Sequence, residues 1–567
     1  MGLRIQLLGS PAIIDAQGER MAVRGLQAWA LLARILLSKR ELGRREVAAG
    51  LFPEADDPLG SLRWCLASLR RALGSAEALT GDPIAANLPR DAEVDVFQIE
   101  SDAFEVEAAG DLLAGIEPRC SPEFATWLLI ERERMAALID ERLRQAAMQA
   151  IAVRDYGRAI RLAELGARRL PFDESAHILL AKSLALAGSY DAALEHVQAT
   201  ERAFLAELGV KPSEALRSAA RRTIASPPGG VGPSSVVKSL LESGLAALSA
   251  GAVDAGIDCL RRAVADAETS NDRHLYAKAL LELGTALVHA IRGYDNEGAI
   301  LLRQSIELAE QCSDATIATA ALRELGYVEA LAGRRPAAAS HLTKALEIAR
   351  DPESLAGVHA VMGFNLVDWG QTEVGLEHYD TSLDYARSAQ NRRREAWSLG
   401  LGGWGQLAAG EPETARRWFD DCLAIVEDLR WVAFRPWPLA LLAEAQLKLD
   451  RDPETLRGGL EEAVALSTQL ADPCWEATSY RVLALMHAVA DDMESAFEWL
   501  TRARTACVRE MDAYMGMLVA ILADRATLEA RAGHAAQADS TTRELLSVAA
   551  RTHMDAYVQW AAARVAN

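Results

Sequence analysis

The sequence predicts a mainly α-helical protein: a small α/β winged helix, then a helical tetratricopeptide-like domain and an α-solenoid of about eight helical hairpins. Three observations carry this prediction. A pattern of small and large apolar residues recurs about every 40 residues in the back half, strand-like segments are confined to the first 100 residues, and alanine and leucine, which favour helices, dominate the rest. A fixed period of this kind is typical of stacked helical hairpins.

The repeat is most regular at one small residue in each hairpin. A larger apolar residue precedes it by three positions, and a mostly small residue precedes it by seven. The seven small residues are Ala263, Ser305, Ala345, Ser382, Cys422, Ala463 and Ala503. These offsets place all three side chains on one face of a helix, where the small ones let a neighbouring helix approach and the large one fills the gap.

The first 100 residues predict short strands around 3–8, 12–14 and 21–23, helices at 26–37, 44–51 and 58–73, and a small hairpin within 79–97. In the third helix, Leu62, Leu66, Leu69 and Leu73 follow spacings of 4, 3 and 4, so we expect them to face the core. Three helices with strands and a terminal hairpin form a winged helix, whose third helix normally lies in the major groove of DNA.

The charge of the chain is unevenly distributed. The net charge is −20, but residues 1–100 hold 12 basic and 13 acidic residues, which leaves −19 for the remainder. Residues 20–71 hold 10 basic and 5 acidic residues. A locally basic module beside an acidic body fits nucleic-acid binding by the module and cationic or neutral partners for the body.

Between the winged helix and the repeats lies a second helical region. The turns at Asp155 and Ser189 are about one tetratricopeptide period apart, and residues 226–235 are all Ser, Pro or Gly except Val231. We therefore expect a winged helix at 1–100, a helical domain at 101–225, a flexible linker at 226–235 and a tetratricopeptide solenoid at 236–567. Few contacts should cross such a linker, so residues 1–225 are expected to fold alone.

Residues 3–222 resemble the antibiotic-regulatory (SARP) type of bacterial transcriptional activator. The matching stretches include LRIQLLGSPAI (3–13), SLRWCLASLRRALG (61–74), PEFATWLLIERERM (122–135) and LAELGVKPSEALR (205–217). The resemblance implies an OmpR-like winged helix that binds double-stranded promoter DNA, joined to a bacterial transcriptional activator domain that dimerises or touches RNA polymerase. The nucleotide-binding ATPase of many long relatives is not expected, because the chain has no GxxxxGK[ST] motif.

The candidate DNA contacts lie in the second and third helices and in the wing. They are Arg44, Arg45, Ser61, Arg63, Trp64, Ser68, Arg70, Arg71 and Arg90. Ser61, Ala67 and Trp64 depart from the residues usual in relatives, so the resemblance does not give the base preference. Trp64 could contact a thymine methyl or sugar, or pack against the activator domain, which we slightly favour. Each arginine could instead be a solvated surface residue.

Nothing in the sequence predicts chemistry. There is no HxxxH or HExxH metal motif, no GxSxG and no paired-acid constellation, so we expect neither an enzyme nor a cofactor or metal. The seven dispersed cysteines fit reduced thiols in the cytoplasm, and no apolar run is long enough to span a membrane. Nine of the twelve tryptophans lie beyond residue 360. They either fill hairpin interfaces, which we favour, or line a ligand groove, with Trp431 and Trp437 as the best candidates for the groove.

The predicted function is DNA-binding transcriptional regulation, activation in the first place, with the repeat array receiving a peptide, protein or small ligand in its concave groove. A homodimer is a further possibility. The alternative is an interaction scaffold whose winged helix no longer binds DNA, because its charge is near neutral and its third helix is altered. The effector, the operator and the regulated genes are not encoded in any motif.

Overall fold

The structure, a computed structural model, describes residues 2–38, 40–99, 101, 104–221, 234–249, 252–270, 272–290, 293–509 and 512–565. Over these residues it has 26 α-helices and six short β-strands, which confirms the predicted mainly α fold. The chain divides into two compact units. The first comprises Met1–Leu143, Leu546–Arg551 and Val558–Asn567, and the second comprises Arg144–Leu545 and Thr552–Tyr557.

The first unit holds the strands and the first helices. The strands are β1 (Arg4–Gln6), β2 (Ala12–Ile14), β3 (Arg20–Met21), β4 (Leu79–Thr80), β5 (Ala85–Ala86) and β6 (Glu93–Val94), and the helices are α1 (Leu26–Leu37), α2 (Arg44–Leu51), α3 (Pro58–Ala72), α4 (Asp95–Gln98) and α5 (Pro122–Ala152), which the division cuts after residue 143. One sheet has the order β3-β2-β1-β6, with β1 parallel to β6, and β4 and β5 form a separate hairpin.

These elements make a winged-helix arrangement close to the predicted one. Helices α1 and α2 have the predicted bounds, and α3 ends one residue earlier than predicted. The range predicted to contain the hairpin, 79–97, was too long, because residues 93–94 pair with β1 instead of with the hairpin strands. The Asp95 carboxylate fixes that pairing by accepting hydrogen bonds from the backbone N–H groups of Leu7 and Leu8, each through an oxygen at 2.8 Å.

Residues 104–143 pack onto the winged helix in the first unit. The backbone N–H of Ser121 donates to the Gly50 carbonyl at 2.8 Å, and the Arg34 guanidinium lies 4.4 Å from the ring centre of Trp127. Arg551, near the C-terminus, belongs to the same unit and bonds to Asp140 on α5 at 2.9 Å. The beginning of the helical domain is thus part of the same core as the winged helix.

The second unit consists of helices alone. They are α6 (Tyr156–Arg169), α7 (Glu174–Leu186), α8 (Tyr190–Leu208), α9 (Glu214–Ala219), α10 (Ser234–Ser249), α11 (Val253–Thr269), α12 (Arg273–His289), α13 (Asp295–Gln311), α14 (Ala315–Leu331), α15 (Arg335–Ile348), α16 (Pro352–Trp369), α17 (Thr372–Ser388), α18 (Arg392–Ala408), α19 (Pro412–Asp428), α20 (Pro436–Lys448), α21 (Pro453–Leu470), α22 (Pro473–Val489), α23 (Met493–Cys507), α24 (Met515–Arg531), α25 (Ala535–Arg551) and α26 (Asp555–Val565), of which the last two extend partly into the first unit. Successive helices pair from α10/α11 to α22/α23 in seven hairpins, and Thr541 of α25 donates to Glu529 of α24 at 2.7 Å in an eighth, in agreement with the predicted array of about eight.

The repeated residues interlock the two helices of each hairpin. The large residue of each predicted triplet is wholly buried on the second helix: Leu260, Leu302, Leu342, Tyr379, Phe419, Leu460 and Leu500. In the third hairpin Leu342 packs against Gly326, where an added Cβ would lie 2.6 Å from the Leu342 Cγ. The glycine therefore sets how closely α14 and α15 approach.

The helical domain contacts the array, whereas the sequence predicted that the two stand apart. Arg144, near the end of α5, pairs with the fully buried Glu329 of α14, and Gln149 donates to Glu307 of α13 at 2.9 Å. Arg154 pairs with Glu268 of α11 at the surface. The expectation that few contacts cross the linker is therefore wrong, since the composition of a linker does not report what its flanks touch. Linker residues 226–233 lie outside the described residues, and Ser234 and Ser235 begin α10.

Residues near the end of the array contact residues of its early hairpins. Tyr514, just before α24, donates its hydroxyl to Asp368 of α16 at 3.0 Å, and Asp512 accepts from the backbone N–H of Gly293 at 2.6 Å. Arg335 Nη2 lies 3.2 Å from the same Asp368, in a fully buried position. Late and early hairpins thus meet in the interior. Trp437 was predicted to be one of the best candidates for a ligand groove, but it is 1% exposed and its ring centre lies 6.3 Å from that of Tyr514, so that expectation is wrong for Trp437.

Neither a helix long and apolar enough to cross a membrane nor a cluster of three or more metal-ligating side chains is present among the described residues.

Candidate nucleic-acid interface

Helix α3 is positioned by its cap and its apolar face. The Asp57 carboxylate accepts a hydrogen bond from the Gly60 N–H at 2.8 Å, and Pro58 occupies the first turn, where its missing N–H costs nothing. The predicted core residues are all buried: Leu62, Leu66, Leu69 and Leu73. Cys65 lies on the same face, where burial raises the pKa of its thiol to about 11. The opposite face is therefore fixed toward the surface.

Arg63, Trp64 and Arg71 form the outer face of α3. Arg63 is exposed and lies 3.2 Å from the Asp57 carboxylate, a surface pair worth at most about 1 kcal/mol, so a phosphate could replace the carboxylate. Arg71 is exposed, and its Nε donates to the Ala67 carbonyl at 3.2 Å. Trp64 is 51% exposed and covers Gly25, so the expectation that it packs away against the helical domain is wrong. Ser61 is half-buried at the first turn.

Two of the predicted contacts serve the fold instead. Ser68 is 2% exposed, and its hydroxyl accepts a hydrogen bond from the Arg24 backbone N–H at 3.2 Å. The prediction that Ser68 contacts DNA does not fit this burial. The Arg70 guanidinium donates from both Nε and Nη2 to the Leu79 carbonyl at the start of the hairpin. Arg70 thus ties α3 to the hairpin, and part of its hydrogen-bonding capacity is already used.

The remaining candidate arginines lie outside α3, Arg44 and Arg45 at the start of α2 and Arg90 after the hairpin. The Arg44 side chain donates from Nε to the Gly81 carbonyl at 2.7 Å, and its backbone N–H donates to Asp82 at 2.8 Å, so Arg44 fixes the hairpin turn against α2. Arg45 at the start of α2 and Arg90 after the hairpin are both exposed. The two exposed arginines remain available to a ligand, whereas Arg44 first serves the turn.

Arg24 is a further basic residue of this region, and it belongs to no motif in the sequence. Its side chain is exposed, and the hydrogen bond between its backbone N–H and Ser68 holds it beside α3. The only signal in the sequence was its membership of the basic stretch 20–71. The partner Ser68 lies 44 residues away, and no local pattern connects the two.

A concavity of about 450 Å³ opens at the start of α3. Phe52, Asp56, Asp57, Ser61 and Trp64 are among the residues that line it. Its carboxylates and apolar side chains do not suit a phosphate. The basic residues lie elsewhere, at Arg24, Arg45, Arg63, Arg71 and Arg90, all of them exposed. Exposed guanidinium groups around one helix suit contacts with phosphates and with guanine edges.

Comparison with known proteins identifies one part of the chain. Residues 103–223 match a family model described as the bacterial transcriptional activator domain. Among proteins of curated function, no sequence matches this chain.

Several solved structures of helical-repeat proteins resemble the chain distantly. The apo quorum sensor NprR from B. thuringiensis is 14% identical over 64% of this chain and 97% of its own, with a TM-score of 0.38. A Rap protein complexed with Competence and Sporulation Factor is 12% identical over 76% and 99%, with a TM-score of 0.34. EmbR from Mycobacterium tuberculosis, in complex with a low-affinity phosphopeptide, is 19% identical over 40% and 66%, with a TM-score of 0.30. With TM-scores below 0.5, these likenesses carry no inference.

The matched segment contains two of the motifs on which the predicted resemblance depends, PEFATWLLIERERM and LAELGVKPSEALR. The match of residues 103–223 to the bacterial transcriptional activator domain confirms the predicted resemblance to the SARP type of activator in this segment.

Proposed function

We propose that the chain is a transcriptional activator of the cytoplasm, whose winged helix binds double-stranded promoter DNA and whose repeat array senses a ligand or partner. The observation that carries the proposal is the exposed arginine face of α3, Arg63 and Arg71, in a winged helix directly before the activator domain. Phosphate contacts by α2 and the hairpin would position α3, and α3 would read base edges. The activator domain would contact RNA polymerase or a second copy of the chain.

The coupling of array and activator domain supports the sensing part of the proposal. Arg144 and Gln149, close to the end of α5, bond to Glu329 and Glu307 of the array. A ligand that shifts these hairpins would move α5 through rigid contacts, so the route does not depend on the linker. Any ligand that changes DNA affinity in this way must have its own affinity changed by DNA to the same extent.

The test is a salt titration of the full chain on promoter fragments taken from upstream of its own gene and its neighbours. We expect the affinity to fall steeply with salt, with a logarithmic slope of about −0.9 for each phosphate neutralised. A flat salt dependence, or no binding at low salt, would contradict the proposal.

One set of observations favours the scaffold alternative. Arg63 faces Asp57, Arg70 donates to a backbone carbonyl and Ser68 is buried, so three of the candidate contacts already have partners inside the chain. If the titration shows no salt-dependent binding while the array still captures a protein partner, the scaffold function stands in place of DNA binding.

A further inference from the structure

Two arginines from different hairpins face each other across a glycine of the array. A Cβ added at Gly357 on α16 would lie 3.0 Å from the Arg323 Cδ and 3.4 Å from the Arg394 Cζ. Arg323 belongs to α14 and Arg394 to the first turn of α18. The glycine thus provides the space in which the two side chains meet. Because like charges repel, the nearby Arg323 is the main cause that lowers the pKa of Arg394 to about 10.

The two guanidinium groups differ in their partners. Arg323 donates from Nε to Glu324 at 3.0 Å, and the same carboxylate accepts from His289 at 2.6 Å. The Arg394 side chain is half-buried and has no ion pair and no hydrogen bond among the described residues. Glu353, which attracts it from a distance, accepts its hydrogen bond from Asn391. The five N–H donors of this guanidinium are therefore open to an acceptor that a ligand supplies.

Aromatic residues follow each of these arginines by about one helical turn, Tyr327 on α14 and Trp397 on α18. Trp397, one turn after Arg394 on α18, has its ring centre 4.8 Å from that of Phe434 and 6.1 Å from that of Tyr327. The Arg393 guanidinium lies 4.2 Å from the ring centre of Trp431. Trp397 and Trp431 are both half-buried, so part of each indole can still accept a flat ligand. The local combination is cationic and aromatic, in contrast to the acidic character of the array as a whole.

We propose that Arg323, Arg394 and Trp397 form a binding site for a small planar anion, an aromatic ring that carries a carboxylate or a phosphate. Guanidinium groups bind both kinds of anion through paired N–H···O bonds, and the ring would stack on the indole. The inference rests on the proposed sensing role of the array and names the class of its ligand. It replaces the cationic partner that net charge alone predicts, because a ligand experiences the charges nearest to it.

The first test is calorimetric titration of the full chain with three probes that share one ring: 1-naphthoate, 1-naphthyl phosphate and neutral 1-naphthamide. We expect at least one anion to bind about tenfold more tightly than the amide, and the better anion identifies the preferred group. Equal binding of the amide and both anions, or no binding of any probe, overturns the site. This comparison uses the unaltered protein and so does not depend on how a variant folds.

The second test removes the unpartnered guanidinium. Arg394→Gln should weaken the better anion about tenfold and leave the amide unchanged. Arg392→Gln is the matched control, because Arg392 is exposed and pairs with Glu395 at 2.9 Å at the surface. Wild-type affinity in Arg394→Gln, or an equal loss in both variants, overturns the site.

A third measurement separates this site from the proposed function. DNA affinity is measured with and without the better anion at saturation, and the expected result is a shift that disappears in Arg394→Gln. If the anion binds and DNA affinity does not change, the site stands and the sensing role fails. If DNA binds with the expected salt slope and no probe binds, the DNA-binding function stands and the site fails.

Discussion

Replacing Arg144 by methionine tests the connection between the activator domain and the repeat array. The Arg144 guanidinium bonds to both carboxylate oxygens of Glu329, which is 0% exposed and also accepts from Arg334 Nε at 2.6 Å. Burial raises the pKa of Glu329, but the charges of Arg144 and Arg334 outweigh it and hold the pKa below its usual range. The variant would leave a buried carboxylate with one partner instead of two.

The magnitude follows from the burial and from the remaining partner. Removing one side of a buried ion pair costs about 3–5 kcal/mol, and because Arg334 stays we expect about 2–3 kcal/mol. The unfolding entropy is about 2.1 cal/mol/K per residue, so the second unit, of roughly 400 residues, has an unfolding entropy of about 0.8 kcal/mol per degree. Dividing the loss of stability by this entropy gives the shift of the melting midpoint. The melting midpoint of this unit should therefore fall by about 2–4 °C.

The assay is scanning calorimetry of the full chain, with Arg154→Met as the control. Arg154 also joins the activator domain to the array, but its pair with Glu268 is exposed, so its loss should cost less than about 1 kcal/mol. The double variant Arg144→Met with Glu329→Gln should recover part of the loss, because it removes the buried charge as well as its partner. Equal midpoints for Arg144→Met and Arg154→Met, or a double variant as unstable as the sum of the single ones, would refute the reasoning.

Three further outcomes are expected. Arg63→Ala with Arg71→Ala should make the logarithmic salt slope of DNA binding shallower by up to about 1.8 and leave the melting midpoint unchanged, and an unaltered slope in a filter-binding titration would remove α3 from the interface. Burial and the neighbouring His378 lower the pKa of His359 to about 4, so the folded chain keeps this ring neutral while the unfolded chain takes up a proton near pH 6.5. The free energy of unfolding should therefore decrease as the pH falls from about 6.5 toward 4, by on the order of 1 kcal/mol for this half-buried ring. His359→Gln should reduce that loss, as measured by thermal melts at pH 7 and pH 5. Gly326→Ala should lower the melting midpoint by about 1–2 °C, because its Cβ would overlap Leu342, and Leu342→Val should relieve part of the loss; a midpoint at or above wild type would show that the hairpin can relax.

Much of the fold could be predicted, because it is written in local patterns. The leucine spacing of α3 and the cap signals at Asp57 and Pro58 predicted its bounds to within one residue. The triplets of the repeat predicted which residues interlock, and Leu342 and its six equivalents are all wholly buried. Both patterns have the period of a helix, so a single sequence contains them completely.

The candidate site was less predictable, because its arrangement depends on distant partners. Ser68 has helical spacing with the exposed residues, yet its hydroxyl is taken by the Arg24 backbone. Arg323 and Arg394 are 71 positions apart in sequence and meet only because α16 carries a glycine between them. The Pro- and Gly-rich composition of residues 226–235 predicted a linker, but it gave no sign of the contact between Arg144 and Glu329, 185 positions apart.

The closure of the array on itself has a consequence for its synthesis. An open solenoid can form progressively, since each repeat touches only its neighbours. Here the buried contacts of Asp368 and Arg335 are incomplete until Tyr514 has been synthesised. The Gly293 turn likewise lacks its hydrogen-bond acceptor until Asp512, 219 positions later, has been synthesised. Until the eighth hairpin leaves the ribosome, the interior of the third and fourth is incomplete, and loop closure over such distances is slow. The winged helix therefore emerges long before the array is finished, so a newly made chain passes through a period in which the winged helix is present without the completed array.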